Sequence, residues 1–353
     1  VGTSTNGAGA FGASVNISTM THPDDAGASA DIAYGSFNTS RLTAKAWTGM
    51  LDDRFSMMVR ASQIRSDGFV DHSKADIRSA LVSGSWSAPS DLIRFNIITG
   101  SQTTGISWWG VPTEILPENR KYNPAGGYVD DSGITRYYED ETDVYTQNHY
   151  HLFHTHRFPG RVSLSTAVHL TTGAGYYEEQ KSYISPFDYG ISDMYPADPV
   201  ISETDIVQRK WLDNLFYGSV LSLIRQGATT EWTLGGAVNR YDGDHYGTIL
   251  WLDKPGDVYP GYEWYRNNGV KDEANIYGKM NTALTGSFNG FIDLQLRHIS
   301  YRFAGPDDDM KALDASHRFL FFNPKAGLFW NNGNGSEAFV SVAVAHREPT
   351  RAD

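Results

Sequence analysis

Polar and apolar residues alternate along much of this chain in segments of about ten residues, the period and length of a strand that turns one face to an apolar medium and the other to water. In residues 161–171, Val162, Leu164, Val168 and Leu170 share a face with Thr166, while Ser163, Ser165, Ala167, His169 and Thr171 share the other. From Phe291 to Tyr301, Ile292, Leu294 and Leu296 oppose Asp293, Gln295 and Arg297; further on, Val340, Val342 and Val344 oppose Ser341, Ala343 and Ala345. The register predicts Val162, Leu164, Leu294, Leu296, Val340 and Val342 facing lipid, with Ser163, Asp293, Gln295 and Ser341 facing a wet interior. Helical periodicity is scarce. No stretch of about 18 apolar residues occurs, which excludes a transmembrane helix but not a barrel, whose strands hide from hydropathy windows.

Turn chemistry divides these segments. Short turns are expected at Asp52-Asp53, Pro89-Ser90-Asp91, Phe158-Pro159-Gly160, Gln226-Gly227-Ala228, Phe288-Asn289-Gly290 and 331–335. Longer connections are expected at 65–74, 103–143, 172–205, 241–272 and 304–316. Soluble sandwiches rarely carry several long structureless loops at one end, whereas outer-membrane barrels do so by design. The short turns should therefore form one rim, and the connections centred near Pro124, Ser192 and Gly256 the other. A strand on each side of every connection gives about thirteen, starting near Gly27, and an odd number does not close a bacterial barrel. The chain opens inside a structured segment and stops mid-pattern at 346–353, so a fragment is expected.

Composition agrees with this reading. The 353 residues include 20 Tyr, 9 Trp and 35 Gly, a mixture that aromatic girdles and tight turns would produce. A net charge of −12 argues against a nucleic-acid partner, and the absence of cysteine removes disulfides, thiolate nucleophiles and cysteine metal sites.

The opening, Val1-Gly2-Thr3-Ser4-Thr5-Asn6-Gly7-Ala8-Gly9-Ala10-Phe11-Gly12-Ala13-Ser14-Val15-Asn16-Ile17, resembles the last stretch of the plug domain of TonB-dependent receptors, and Ala33-Tyr34-Gly35-Ser36-Phe37-Asn38-Thr39 resembles their first barrel strand. Trp109-Gly110-Val111-Pro112, Arg120-Lys121-Tyr122-Asn123-Pro124, Glu141-Thr142-Asp143 with Tyr145-Thr146-Gln147-Asn148-His149, and Asn239-Arg240-Tyr241-Asp242-Gly243-Asp244-His245 are similar to iron-complex receptors common in Bacteroidetes. Phe322-Asn323-Pro324-Lys325-Ala326-Gly327 and Arg347-Glu348-Pro349-Thr350-Arg351 resemble later barrel strands. The resemblance implies an all-β antiparallel transmembrane barrel, partial in a total of about 22 strands, behind the end of an N-terminal plug. Residues 1–20 would be the plug end and 21–353 the N-terminal part of the barrel. It also implies residence in the bacterial outer membrane, contact with its lipid, and energising by the TonB-ExbB-ExbD complex through a region N-terminal to this chain.

Candidate chemistry concentrates in the long connections. Trp108, Trp109, Tyr122, Tyr128, Tyr137, Tyr138, Tyr176 and Tyr177 crowd two of them, with Arg120 and Arg136 interleaved and Arg240, Tyr241 and His245 in the next. Aromatic and arginine side chains anchor bulky oxygen-rich ligands by stacking and forked hydrogen bonds. The bland alternative for each is loop packing or the upper aromatic girdle. His149, His151, His154 and His156 split between two strand faces, with no carboxylate beside them at metal-ligand spacing, so they are read as interface or lumen histidines rather than a metal or haem site. Asp242-Gly243-Asp244 and Asp307-Asp308-Asp309 match no complete calcium loop and are read as solvated carboxylates. Gly7-Ala8-Gly9-Ala10-Phe11-Gly12 has dinucleotide spacing without the strand and helix that give it meaning. No catalytic constellation and no cofactor are expected, which disfavours a soluble all-β enzyme. The expected function is a receptor that binds a ferric siderophore or similar iron complex for import; a cobalamin- or glycan-capturing barrel and a passive porin are the alternatives.

Overall fold

The computed structural model describes residues 3–6, 24–130, 132–191, 203–253 and 258–349. Its strands are β1 (Gly27–Tyr34), β2 (Ser40–Trp47), β3 (Phe55–Ser66), β4 (Ala75–Ser87), β5 (Asp91–Gly105), β6 (Gly127–Val129), β7 (Thr135–Tyr137), β8 (Thr142–Phe158), β9 (Val162–Ile184), β10 (Thr204–Gln226), β11 (Thr230–Leu252), β12 (Tyr262–Ala283), β13 (Phe288–Ala304), β14 (Ala315–Asn331) and β15 (Glu337–Ala343). Thirteen of them form one antiparallel sheet in chain order, β1 to β5 and then β8 to β15, while β6 and β7 make a separate hairpin. β1 begins at Gly27, where the turn count places the first strand.

The sheet is inside-out relative to a soluble protein. Along β13, Ile292, Leu294 and Leu296 are 45%, 45% and 43% exposed, and the intervening Asp293, Gln295 and Arg297 are 1%, 3% and 2% exposed. Directly paired residues share a face, so register extends the apolar side to Ile276, Met280, Phe322, Leu328, Val340 and Val342, and the polar side to Lys279, Asn323 and Lys325. Burial of the polar face places it on the inside of the curve. Such an arrangement is stable only where the outer medium is itself apolar. Ionic contacts hold the inner wall: Arg297 donates to Glu273 at 2.8 Å and to Glu348 at 2.9 Å.

Short turns gather at one rim. Asp52 and Asp53 take positive φ of 48° and 51°, and Gly160 and Arg161 take 78° and 59°, the twist that suits tight hairpins. The β12–β13 turn is 284–287, so Phe288, expected in the turn, starts β13 instead. Outward aromatics mark this rim, including the cross-strand pairs Phe55 with Trp86 and Phe288 with Trp330. A row of paired outward residues, Tyr150, Leu170, Tyr217, Arg240 and Asp272, marks where the apolar band ends. About ten residues of β11 lie between these levels, the length that crosses a bilayer at a barrel's tilt.

Beyond that row the structure departs from the sequence expectation. Strand takes up most of the described residues in the connections expected at 172–205 and 241–272: β9, β10 and β11 each run for 23 residues and β12 for 22. Their upper halves project roughly 40 Å of strand past the band. Tyr189, Ile191, Ile206, Ile249, Leu252, Val258, Trp264 and Tyr265 form an apolar cluster at the tips, which gives these strands a reason to stay together beyond the band. On the outer side of the projecting wall, the Arg209 guanidinium lies 4.1 Å from the Tyr176 ring centroid, Tyr176 packs on Trp211, Trp211 stacks on Tyr246, and Arg266 lies 3.9 Å from Tyr246.

Inside, several rings lie flat over glycines. A β-carbon on Gly173 would strike Tyr145, one on Gly235 would strike Tyr277, and one on Gly243 would strike Tyr241.

Two chain segments touch the inner wall, the first near the short-turn rim and the second reaching to the upper end of the apolar band. The Ser4 backbone N–H and the Thr3 hydroxyl donate to Asp293 Oδ2 at 2.8 and 3.1 Å, and Lys325 Nζ donates to Ser4 Oγ at 3.1 Å. The rest of the opening expected to be plug, including the Gly7–Gly12 spacing, lies outside the described residues. Residues 344–349, expected to continue a strand, instead cross the inner wall, where His346 stacks on Phe321 and Glu348 reaches Arg297 and Lys271. Pro324 supplies the reason: Val344 donates to its carbonyl, but Pro324 has no N–H to return, so the ladder stops.

Candidate functional site

Aromatic, cationic and acidic side chains meet on the inner wall above the apolar band, at a cavity of about 410 Å³. Register builds it. Asp143, Tyr177 and Lys210 are consecutive cross-strand partners on β8, β9 and β10; Tyr145, Gly175, Leu212 and His245 form the adjacent row through β11. Tyr265 of β12 opposes Gly247, itself opposite Lys210, and Asp307 and Asp308 close the side from the β13–β14 connection.

Lys210 Nζ donates to Asp308 Oδ2 at 2.6 Å and lies 6.0 Å from the Tyr177 ring centroid. Burial opposes its charge, but the bond to Asp308 outweighs it and holds the ammonium above the ordinary lysine range. Burial likewise pushes the Tyr177 and Tyr265 phenols up. They are therefore neutral donors at physiological pH, beside a fixed cation and flanking carboxylates. Flat rings, hydroxyl donors and an ammonium together suit a ligand with aromatic surface and partly anionic oxygens.

The sequence-predicted residues are distributed as follows. Tyr176, Tyr177 and His245 line the cavity, and the exposed Trp108 meets Tyr177 edge-on at 5.4 Å. Tyr138 donates to Glu178 at 2.5 Å, and Arg209 also binds that carboxylate. Tyr137 stacks on His72, Arg136 pairs with Asp130 at the tip of the β6–β7 hairpin, Tyr122 is half-buried, and Trp109 and Arg120 are exposed. Strand alternation separates the rest: Tyr241 faces inward lower on the wall, whereas Tyr176 and Arg240 face outward, Arg240 near Asp272 at 3.6 Å. Arg240 is one residue out of phase with the inner face and meets the outer surface; Tyr176 alternates outward as well, yet borders the cavity beside Tyr177. Asp143, Tyr145, Lys210, Tyr265, Asp307 and Asp308 were absent from the predicted set. Lys210 sits in register opposite Tyr177, a relation no local motif carries.

The connection 106–141 is pinned rather than loose. Asn123 Nδ2 donates to the carbonyls of Asp71 and Ile106, and its Oδ1 accepts from Ala125 N. Glu141 is buried and accepts from Gln180 N at 3.0 Å; burial first, then neighbouring carboxylates, raises its pKa to about 7.

The acidic clusters are paired with donors, as solvated carboxylates would be. Asp242 and Asp244 both accept from Asn268, Asp244 meets Arg266, and Asp309 binds Lys311. The histidines split by face as the alternation requires: His149 bonds Thr171 and His169 bonds Asn239 inside, while His154 and His156 lie outside. A carboxylate does stand beside the outer pair, Asp91 of β5, supplied by the neighbouring strand and so invisible to spacing.

An antiparallel sheet with an apolar outer band, a polar inner wall, one rim of tight turns and one of projecting strands is the wall of a β-barrel of receptor type, here in part. No family model and no curated protein matches the chain, whereas solved structures do. The ferric-catecholate import receptor Fiu of E. coli K12, open form, matches with a TM-score of 0.68 at 17% identity, over 93% of this chain and 56% of that one. The siderophore receptor PiuA of Acinetobacter baumannii gives 0.67 at 11%, over 92% and 50%. The copper transporter OprC gives 0.65 at 11%, over 94% and 47%. This chain thus spans about half the length of the structures it matches. The likeness is one of fold.

Proposed function

We propose that this chain is part of a non-enzymatic outer-membrane receptor that binds a ferric siderophore or similar iron complex and imports it with energy from TonB. Residues 1–20 act as the end of the plug and 21–353 as the first part of the barrel. The observation that carries the binding site is the cavity of Tyr145, Tyr177, Lys210, His245 and Tyr265 on the inner wall above the apolar band. A ligand entering from outside meets it before the membrane. The exposed apolar band supports the outer membrane as location, and the docking of Thr3 and Ser4 on Asp293 supports a plug inside the wall.

The test uses the full-length receptor in detergent, titrated with a ferric catecholate and followed by quenching of tryptophan fluorescence. Lys210→Ala and Tyr177→Ala should each weaken binding about tenfold to hundredfold, the 1–3 kcal/mol of a true anchor. Arg240→Ala, on the outer face, should leave it unchanged. If cobalamin or an oligosaccharide binds and no ferric complex does, the iron assignment falls and the receptor assignment stands.

A further inference from the structure

We propose that Asp91, His154 and His156 form a divalent-metal site on the outer face of the sheet, at the rim of short turns. The residues come from two adjacent strands. His154 and His156 are two apart on β8 and so share a face, and Asp91, the first residue of β5, is the register partner of His156. Their rings lie 6.4 Å apart, tilted toward one carboxylate oxygen: His154 Nε2 is 2.9 Å and His156 Nδ1 2.7 Å from Asp91 Oδ1. One ligand atom from each lies within 4.8 Å of the other two.

These separations approach those of a coordinated set. Nitrogen and oxygen ligands about 2.0–2.1 Å from a tetrahedral zinc ion stand roughly 3.3 Å from one another. A small movement of three side chains, on a backbone fixed by ladder hydrogen bonds, converts the shared hydrogen bonds into metal bonds. The ion takes the place of the ring N–H protons that face Asp91, each neutral imidazole then carrying its proton on the other ring nitrogen. All three side chains are partly exposed, so water can complete the shell. The directly opposed residues on β9, Thr166 and Leu164, bring no charge to compete. Two neutral imidazoles with one carboxylate select zinc, nickel or copper over calcium or magnesium, which prefer oxygen alone.

Position gives the site a role. Asp91 follows the β4–β5 turn and His156 precedes the β8–β9 turn, while β5 and β8 are joined only through the long connection at the opposite rim. A metal here clamps two hairpins that the chain leaves unlinked at this end.

The experiment uses the full-length receptor without a polyhistidine tag, folded in detergent and titrated with zinc by calorimetry, with cobalt as a spectroscopic probe. One equivalent should bind, with cobalt ligand-field bands of nitrogen and oxygen coordination and a rise in thermal stability. Asp91→Asn, which keeps shape and hydrogen bonding but removes the charge, should weaken binding at least about tenfold, as should His154→Ala and His156→Ala. His149→Ala, on the inner face, should not. Absence of stoichiometric binding to the wild type, or affinity unchanged from the wild type in both Asp91→Asn and a His154→Ala/His156→Ala double variant, overturns the site. Where the histidine variants fail to fold, Asp91→Asn and the cobalt spectrum decide.

Discussion

The two halves of β11 share one backbone, one ladder and one direction, yet they obey different rules. In the lower half Trp232, Leu234, Gly236 and Val238 point outward and Thr233, Gly235, Ala237 and Asn239 inward. In the upper half Arg240, Asp242, Asp244 and Tyr246 take the outer positions and Tyr241, Gly243, His245 and Gly247 the inner ones. Alternation of apolar and polar positions is kept only along the exposed apolar band. Above it both faces meet water, and the strand persists because its neighbours pair with it and the tip cluster holds them. A pattern in sequence therefore reports the surroundings of a strand, and its end marks the end of the apolar band rather than of the strand.

The comparison can be broken most severely from inside the lower half. Arg297→Ala should leave Glu273 and Glu348 without their guanidinium partner in a buried wall and cost about 3–5 kcal/mol, measured as a lower urea midpoint in detergent or lipid. On the outer side, Leu294→Arg should cost about 2–4 kcal/mol in a bilayer. Leu215→Arg, above the Tyr217 row and register partner of Asp242, should cost under about 1 kcal/mol. Equal penalties at 294 and 215 would remove the boundary between the two halves.

The smallest effect concerns the pinned connection of the upper half. The Glu141 carboxyl is raised to about 7 by burial, so the folded state holds its proton more tightly than the unfolded one. Its docking is then strongest at and below the ordinary carboxylate range, weakens as pH rises through about 7, and is flat above. Hydrogen-exchange protection of 106–141, corrected for intrinsic rate, should be greater at about pH 5.5 than at about pH 8. Glu141→Gln should abolish the difference.

How much was legible follows the same division. The facing of Leu294 against Gln295 and the position of the turns at Asp52-Asp53 and Pro159-Gly160 could be read because lipid and turn geometry constrain single residues locally. The upper strands could not, since Tyr176, Asp242 and Asp244 break the apolar rhythm and resemble loop. The cavity was half legible: Tyr177 and His245 stand out by type, but Lys210 acquires meaning only through the register that sets it opposite Tyr177. Asp91 stands 63 positions from His154, and only strand pairing brings them together.

The rings laid over glycines set the relief of the inner wall. A tyrosine standing upright from a strand would jut from that wall, whereas Tyr145, Tyr241 and Tyr277 recline in the troughs left by Gly173, Gly243 and Gly235 and cover it like tiles. Each glycine is thus a choice about thickness. An alanine there would meet the ring and force it to rise from its trough, leaving the backbone ladder as it is. The smoothness of this hydroxyl-edged surface depends on side chains that are missing.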